Sequence, residues 1–371
     1  MMHAVRMGLV LLGMGWASAW GQLSDVQEGL AIMASRTAGN CISCHEIPAW
    51  RDAADPTRRL TLQGSFGPSL QGVGQRYSRD QLRQWVVDAR VMRPHTLMPP
   101  YGTTQGLNAP ARQQPLLTPA QIEAVVEALS WFTQPTALVE ASPAAPSMPV
   151  LSSVEQLQAT QAMNPVELWV EQGQQAWDRG CVSCHAQGDV VKAVPQFPRL
   201  DAQHRLVNLE DQINRCRQRT DVTMASAAPV EDRTTLGLSA FLHQSARQRP
   251  IQVTAPLDKT DATRWQHHLD AGERLYTTRM GHMNLSCRQC HDDKVGTAMR
   301  AQRINSAHPV GFPVYRISWQ GVGSMDRRIR ACLSGVQAQV PPAHDERLRQ
   351  LELYLKVRST GQPLEGPSIK P

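Results

Sequence analysis

Three segments of the chain repeat one pattern of small and apolar positions, and each precedes a pair of cysteines. In each segment a glycine is followed four residues later by a bulky side chain, at Gly29/Met33, Gly173/Trp177 and Gly272/Tyr276. Residues four apart share one face of a helix, and a glycine on that face lets another helix approach closely. The pattern therefore predicts three helices, each packed against a partner.

An amphipathic segment late in each repeat supplies the expected partner helix. The first of these begins at Thr118 and Pro119, a cap followed by proline at the first helical position. Their apolar positions follow helical spacing: Ile122, Val125, Val126 and Leu129; Leu236, Leu238, Phe241 and Leu242; Leu348, Leu351 and Leu355. The predicted fold is mainly α, with three small units in tandem whose first and last helices pack together.

Segments of biased composition separate the units. Residues 136–163 are rich in Ala, Pro, Ser and Gln and are predicted to form an extended linker. A shorter junction lies at residues 247–262. We expect the first unit to be set apart from the other two, and the predicted domains are 20–135, 164–255 and 256–371.

The N-terminal sequence MMHAVRMGLVLLGMGWASAW predicts a secretory signal peptide at residues 1–19. Arg6 gives a positive start, residues 7–16 are apolar, and residues 17–19 form a small-residue cleavage site. A membrane anchor is the alternative, but the apolar run is shorter than the roughly 20 residues that a spanning helix needs. We therefore expect export to the periplasm.

Composition limits what fills the three units and what they bind. Only 5% of the 371 residues are aromatic and 41% are hydrophobic, so something other than a large side-chain core is expected inside them. The net charge of +6 at pH 7 favours anionic partners. The sequence shows no basic run with interleaved aromatic residues, so nucleic acid ranks last among those partners.

Six of the eight cysteines fall in three C-x-x-C-H motifs. The motif residues are Cys41, Cys44 and His45; Cys181, Cys184 and His185; Cys287, Cys290 and His291. This is the attachment signature of haem c, in which the two thiols bond the haem and the histidine binds its iron. Thioredoxin-like pairs or zinc ligands do not explain a histidine after every pair. The motifs predict three covalently bound haem c groups, which would also supply the missing apolar core.

Each haem iron also needs a ligand on its other face. In the first unit the segment HTLMPPYG offers Met98 in a loop stiffened by two prolines, with His95 as the alternative. Cys216 and Cys332 lie outside the motifs, late in the second and third units, and we predict that both ligate iron as thiolates. The alternatives are a disulfide between these two cysteines, or ligation by His204, His243 or His308.

The types of ligand predict a direction of electron flow. Methionine favours reduced iron and raises its potential, whereas thiolate donates charge and lowers it. Electrons should therefore run from the two cysteine-ligated haems towards the haem ligated by Met98.

Cys332 differs from Cys216 in its basic neighbours. Arg328 precedes Cys332 by four residues and so shares its face of a predicted helix. A guanidinium there favours the thiolate and could hold a small dianion through paired hydrogen bonds. The alternative interpretation of Arg328, with Arg327 and Arg330 nearby, is a solvated basic helix.

These segments resemble the Sox sulfur-oxidation cytochromes. The first unit, with GNCISCHEIP, GSFGPSLQGVGQRYS and TLMPPYG, resembles the monohaem X subunit. Residues from about 165 onwards resemble the dihaem A subunit through CVSCHAQG, VNLEDQINRCR, LSCRQCHDDKVG, GFPVYRISWQG, RRIRACLSGVQA and LELYLKVRSTG. The chain is thus similar to a natural fusion of two subunits that are commonly separate, joined through residues 136–163.

The resemblance implies an activity, partners and roles for individual residues. A Sox A–X cytochrome joins thiosulfate oxidatively to a cysteine of the carrier Y–Z protein, as an L-cysteine S-thiosulfotransferase. Two electrons leave through haem to a small cytochrome c. The resemblance makes Cys332 the active-site haem ligand, carrying an extra sulfur as a persulfide, and Arg328 the substrate-binding residue. It makes Cys216 the ligand of a second haem and Met98 the ligand of the haem nearest the electron exit.

Two other functions stay open at this point. A thiosulfate dehydrogenase couples two thiosulfates into tetrathionate and also uses an exported, cysteine-ligated haem. A plain multihaem electron-transfer cytochrome needs no substrate site. Arg328 beside Cys332 disfavours the plain carrier, and the separate unit with Met98 favours the Sox function over the dehydrogenase.

Overall fold

The computed structural model describes residues 16–47, 63–133, 164–220, 231–300 and 302–370. Most of the predicted signal peptide and the whole predicted linker, 136–163, lie outside these ranges. Within the described residues, no helix is both long and apolar enough to cross a membrane.

Helices dominate all three units, as predicted. The first unit contains α1 (Trp16–Ala34), α2 (Val73–Arg76), α3 (Arg79–Met92) and α4 (Pro119–Ser130). The second contains α5 (Pro165–Gly180), α6 (Gln187–Ala193), α7 (Leu209–Thr220) and α8 (Arg233–Ser245). The third contains α9 (Lys259–Thr277), α10 (Cys287–His291), α11 (Met325–Gly335) and α12 (Glu346–Val357). Short 3-10 turns lie at Cys41–Ser43, Val194–Gln196 and Ile317–Trp319.

Short strands connect the helices of the second and third units. Two antiparallel pairs form, β1 (Arg199–Leu200) with β2 (Leu206–Val207) and β3 (Ala298–Met299) with β4 (Gln302–Arg303). A three-stranded sheet has β5 (Val314–Arg316) at its centre, antiparallel to β6 (Gly321–Gly323) and parallel to β7 (Ser368–Lys370). In this register Val314 lies opposite Gly323 on one side and Ser368 on the other.

The first and last helices of each unit touch at the glycines of the sequence repeat. A Cβ added at Gly173 in α5 would overlap the carbonyl oxygen of Gly237 in α8. One added at Gly272 in α9 would overlap that of Gln350 in α12, and Gly29 meets the backbone of α4 in the same way. The predicted glycine-mediated helix pairs are therefore confirmed, because only hydrogen fits at these positions.

Side-chain caps define where the helices around the motifs begin. The Thr118 hydroxyl accepts from the backbone nitrogen of Gln121, and the Gln121 side chain accepts in return from that of Thr118, 3.0 Å away. Ser286 caps α10 with the same reciprocal pattern. Ser324 caps α11, the helix that carries Cys332. These caps satisfy backbone donors that the first turn of a helix leaves unpaired.

The first unit packs against the third, contrary to the expected separation. Met283 and Leu285 of the third unit belong to the same buried apolar cluster as α1, α3 and α4. Backbone hydrogen bonds cross the contact, including Ala111 N to Gln337 O at 2.9 Å. The expected separation was inferred from the composition of residues 136–163. That composition describes the linker and carries no information about contacts between loops of the first and third units.

The second and third units share a buried polar contact between α7 and α12. Asp211 forms a salt bridge with Arg349, and Asn208 donates to Glu352 over 3.1 Å in a buried position. Burial raises the pKa of Asp211, but hydrogen bonds from His344 and Arg349 outweigh it and lower the pKa to about 2. The helix that carries Cys216 is thereby held against the last helix of the third unit.

The glycine contact in the third unit yields a stability prediction. Gly272→Ala should lower the free energy of unfolding by roughly 1–3 kcal/mol, because the new methyl group must displace the backbone of α12. Denaturant titration of the purified protein measures this change. Gly188→Ala in α6 is the matched control, since a Cβ there meets nothing within 4 Å. Equal stabilities of the two variants would contradict the close helix contact.

Candidate functional site

The two cysteines outside the motifs lie beside different motifs. Neither forms a disulfide bond. Cys216 lies near enough to Cys181 for their charges to interact, and the Cys332 side chain hydrogen-bonds with His291. The alternative of a Cys216–Cys332 disulfide is therefore wrong.

The motif thiols of the first and third units fit covalently bound haem. Burial raises the pKa of Cys41, Cys44 and Cys287 to about 12, and that of Cys290 to about 11. All four thiols therefore lie in apolar surroundings, which suit thioether bonds to haem.

Backbone carbonyls orient two of the motif histidines. His45 Nδ1 donates to the carbonyl of Pro68 over 2.6 Å, and His291 Nδ1 donates to that of Asn305 over 2.6 Å. Donation from Nδ1 leaves Nε2 available as a ligand, which is the usual arrangement of a metal-binding histidine. Gly67 makes room for the His45 ring, because a Cβ there would lie 2.6 Å from a ring carbon.

The loop that carries Met98 lies against the first motif. Met98 is half-buried at the border of the first apolar cluster, whereas His95 is exposed. Tyr101, three residues further on, hydrogen-bonds to Cys41. This placement supports Met98 rather than His95 as the distal ligand of the first haem, which stays a prediction.

The three alternative histidine ligands take part in other contacts. His243 is buried in α8, where its Nδ1 donates to a carbonyl of its own helix over 2.9 Å. Burial lowers its pKa to about 3. His204 Nδ1 lies 2.6 Å from Asp261 Oδ1, and His308 Nδ1 lies 2.9 Å from the hydroxyl of Ser359.

Around Cys216 the nearby basic charge is neutralised. Gln212 occupies the position one turn before Cys216 and its Nε2 lies 3.5 Å from the sulfur. Arg217 donates to both carboxylate oxygens of Asp232, at 2.7 and 2.8 Å, and to Thr235 at 2.6 Å. A guanidinium held by a carboxylate in this way has little attraction left for an anionic substrate.

Around Cys332 the basic charge is not neutralised by carboxylates. Burial raises the pKa of Cys332, but the hydrogen bond from His291 and the charges of Arg328 and Arg316 outweigh it and lower the pKa. Within the described part of the chain, neither arginine has a carboxylate partner. Two half-buried guanidinium groups beside Cys332 could bind a small anion.

Arg316 is the residue of this site that the sequence analysis missed. It ends β5, and its guanidinium lies 5.5 Å from the ring centre of Trp319. Arg327 lies over the same ring at 4.5 Å. The segment GFPVYRISWQG contains both Arg316 and Trp319, so the sequence holds an arginine–aromatic signal. It gives no indication that β5 ends beside α11.

Comparison with known proteins identifies the second and third units. Residues 166–251 and 271–364 match the family model described as the SoxA/TsdA cytochrome c domain. The L-cysteine S-thiosulfotransferase subunit SoxA of Pseudaminobacter salicylatoxidans is 29% identical over 231 residues, covering 59% of this chain and 78% of that protein. The SoxA subunit of Paracoccus pantotrophus is 28% identical over 217 residues, covering 56% and 72%.

A solved structure shows the same fold. A chain of the crystal structure of SoxXA from P. pantotrophus superimposes with a TM-score of 0.53 at 24% identity, covering 59% of this chain and 83% of that one. A cytochrome c domain implies covalently bound haem c, which the motif thiols and histidines described above fit. The second and third units are therefore cytochrome c domains of the SoxA/TsdA type, and their SoxA relatives support a Sox cytochrome.

Proposed function

We propose that this chain joins thiosulfate oxidatively to a cysteine of a SoxYZ-type carrier protein, as an L-cysteine S-thiosulfotransferase. The names of its SoxA relatives support the class of activity. The observation that carries the proposal is Cys332 beside Arg316 and Arg328, two cations without a carboxylate partner in the described ranges.

The cofactors proposed are three haem c groups, one in each of three tandem units. The attachment cysteines are those of the three motifs, and the axial ligands are His45 and Met98, His185 and Cys216, and His291 and Cys332. Haem c, when bound, supplies the one-electron redox chemistry that the net oxidation needs. The proposed location is the periplasm, because cytochromes of this family are typically exported.

Arg316 and Arg328 would bind the anionic sulfonate end of thiosulfate. Guanidinium groups donate paired hydrogen bonds to such oxygen groups and compensate the two negative charges of the substrate. With the sulfonate held there, the terminal sulfur of thiosulfate would point to Cys332 and to the carrier cysteine.

The net reaction forms one sulfur–sulfur bond between the carrier thiol and the terminal sulfur of thiosulfate. The carrier thiol loses one proton to solvent, and the two sulfur partners together lose two electrons, which pass one at a time to two molecules of an external small cytochrome c. The product is a cysteine S-thiosulfonate. Cys44 of the first motif and Cys290 of the third pack against the same buried apolar cluster, which supports passage of electrons from the third unit to the first.

The count of three haems is directly testable. Intact-mass measurement of the mature protein should show the mass of three haems added to the chain, because three motifs offer paired thiols. Replacing Cys181 and Cys184 by alanine should remove the mass of one haem and leave two. A wild-type protein carrying two haems or fewer would rule out the proposed cofactor content.

Met98 is predicted to ligate the haem of highest potential. In a redox titration, Met98→Lys should shift the most positive wave and leave the others in place, because methionine favours reduced iron more than an amine does. His95→Ala is the matched control from the same loop and should shift none. Movement of the most negative wave in Met98→Lys would reverse the proposed direction of electron flow.

The substrate-binding role is predicted to belong to the arginines at Cys332. Arg328→Lys keeps the charge but loses the planar fork, so carrier thiosulfonation should slow at least about tenfold, on the order of 1.4 kcal/mol. Haem content and spectra should stay as in the wild type. Arg330→Lys is the control on the same helix, because Arg330 donates instead to Pro341 O, at 3.1 Å.

The two cysteines outside the motifs should differ in the same assay. Cys332→Ala should abolish turnover with carrier, thiosulfate and a cytochrome acceptor, whereas Cys216→Ala should keep much of it. The reverse result would place the active site in the second unit. Tetrathionate formed without carrier would instead favour a thiosulfate dehydrogenase, and no product in either condition would favour a plain electron carrier.

A further inference from the structure

An arginine of the third unit binds the loop that carries Met98 in the first unit. Arg279 lies just after α9, and its Nη2 donates to the carbonyl oxygen of Thr96 over 2.6 Å. Its Nε donates to the carbonyl oxygen of Asn284, in its own unit, over 2.6 Å. One guanidinium therefore joins two loops that are distant in the sequence.

The bound residue, Thr96, also orders Met98 directly. Its hydroxyl accepts a hydrogen bond from the backbone nitrogen of Met98 at 3.1 Å, and its own backbone nitrogen donates to Arg93 O at 3.0 Å. Thr96 is thus the centre of the turn that precedes Met98. A shift of the Thr96 carbonyl would move the methionine side chain with it.

The charge of Arg279 has no carboxylate partner among the residues described. Burial lowers its pKa, and so does the charge of Arg90, which is itself paired with Asp88. Burying a guanidinium between two units costs desolvation energy, and carbonyl acceptors compensate it only in part, so Arg279 contributes little to the stability of the contact. The guanidinium is, however, planar and rigid, so its two hydrogen bonds fix the position of one loop relative to the other.

A second arginine of the third unit acts on the opposite segment of the first haem site. Arg300 donates to Asn40 Oδ1 at 2.7 Å and to Ser43 Oγ at 2.8 Å, within the turn that contains Cys41 and Cys44. The third unit therefore contacts both the motif turn and the methionine loop of the first unit.

We propose that Arg279 is a positioning residue for the Met98 ligand, so that the third unit holds the methionine on the iron of the first. This inference rests on the proposed ligation by Met98. It means that the ligand set of the first haem is complete only while the first and third units are docked.

The test is displacement of methionine by imidazole in the oxidised holoprotein, followed through the far-red absorption band of methionine-ligated ferric haem. Arg279→Ala should bind imidazole at least about tenfold more tightly at this haem, which corresponds to about 1.4 kcal/mol. Arg303→Ala is the matched control, since Arg303 donates to Gly296 O within its own unit, at 3.2 Å. It should bind imidazole as the wild type does.

Thr96→Val provides a second variant, because it removes the hydroxyl that Met98 N donates to and keeps the carbonyl that Arg279 binds. It should also bind imidazole more tightly, and the double variant should show less than the sum of the two effects. If Arg279→Ala does not accumulate as holoprotein, Arg279→Lys carries the test and should show a smaller increase.

The possible outcomes distinguish failure of the role proposed for Arg279 from failure of ligation by Met98. Imidazole affinities of the Arg279 variants equal to that of Arg303→Ala would overturn the inference alone. A far-red band that persists in Met98→Ala would overturn ligation by Met98 and the inference with it. Loss of the band in Met98→Ala, together with tighter imidazole binding in Arg279→Ala, would support both.

Discussion

The contact between the first and last helix of each unit is the constraint on which the rest of the structure depends. At Gly29, Gly173 and Gly272 the two helices meet backbone against backbone, with room for no side chain. Each C-x-x-C-H motif follows the first helix of such a pair. The contact between the two helices therefore fixes the position of the motif's thiols and histidine. Because the same contact recurs three times, one local rule positions three candidate haem sites.

Cys216 and Cys332 occupy similar positions in their units but differ in the charged side chains around them. Beside Cys216 the guanidinium of Arg217 is held by Asp232, whereas beside Cys332 the guanidinium groups of Arg316 and Arg328 have no carboxylate partner in the described residues. A carboxylate neutralises a cation that a substrate anion would otherwise attract. Electrostatics thus separates a site suited to an anionic substrate from one that resembles it in sequence.

Docking of the first unit on the third joins these sites into one assembly. Met283 and Leu285 enter the apolar cluster of the first unit, Arg279 binds the loop that carries Met98, and Arg300 binds the turn of the first C-x-x-C-H motif. The cysteines of the first and third motifs approach each other at the same contact. The first unit therefore contacts the third, although the second unit lies between them in the sequence.

The sequence by itself determined the features that depend on neighbouring residues. Helix faces, the caps at Thr118 and Ser324, the small glycines and the three motifs all follow from spacings of a few residues, which backbone geometry translates directly into local structure. Only the tertiary structure decided that Arg316 joins Arg328 and that the first unit docks on the third. Arg316 ends β5, which pairs with β6 directly before α11 and with β7 more than fifty residues further on. Pairing between distant segments, like the docking of Met283 and Leu285 on the first unit, has no local signature.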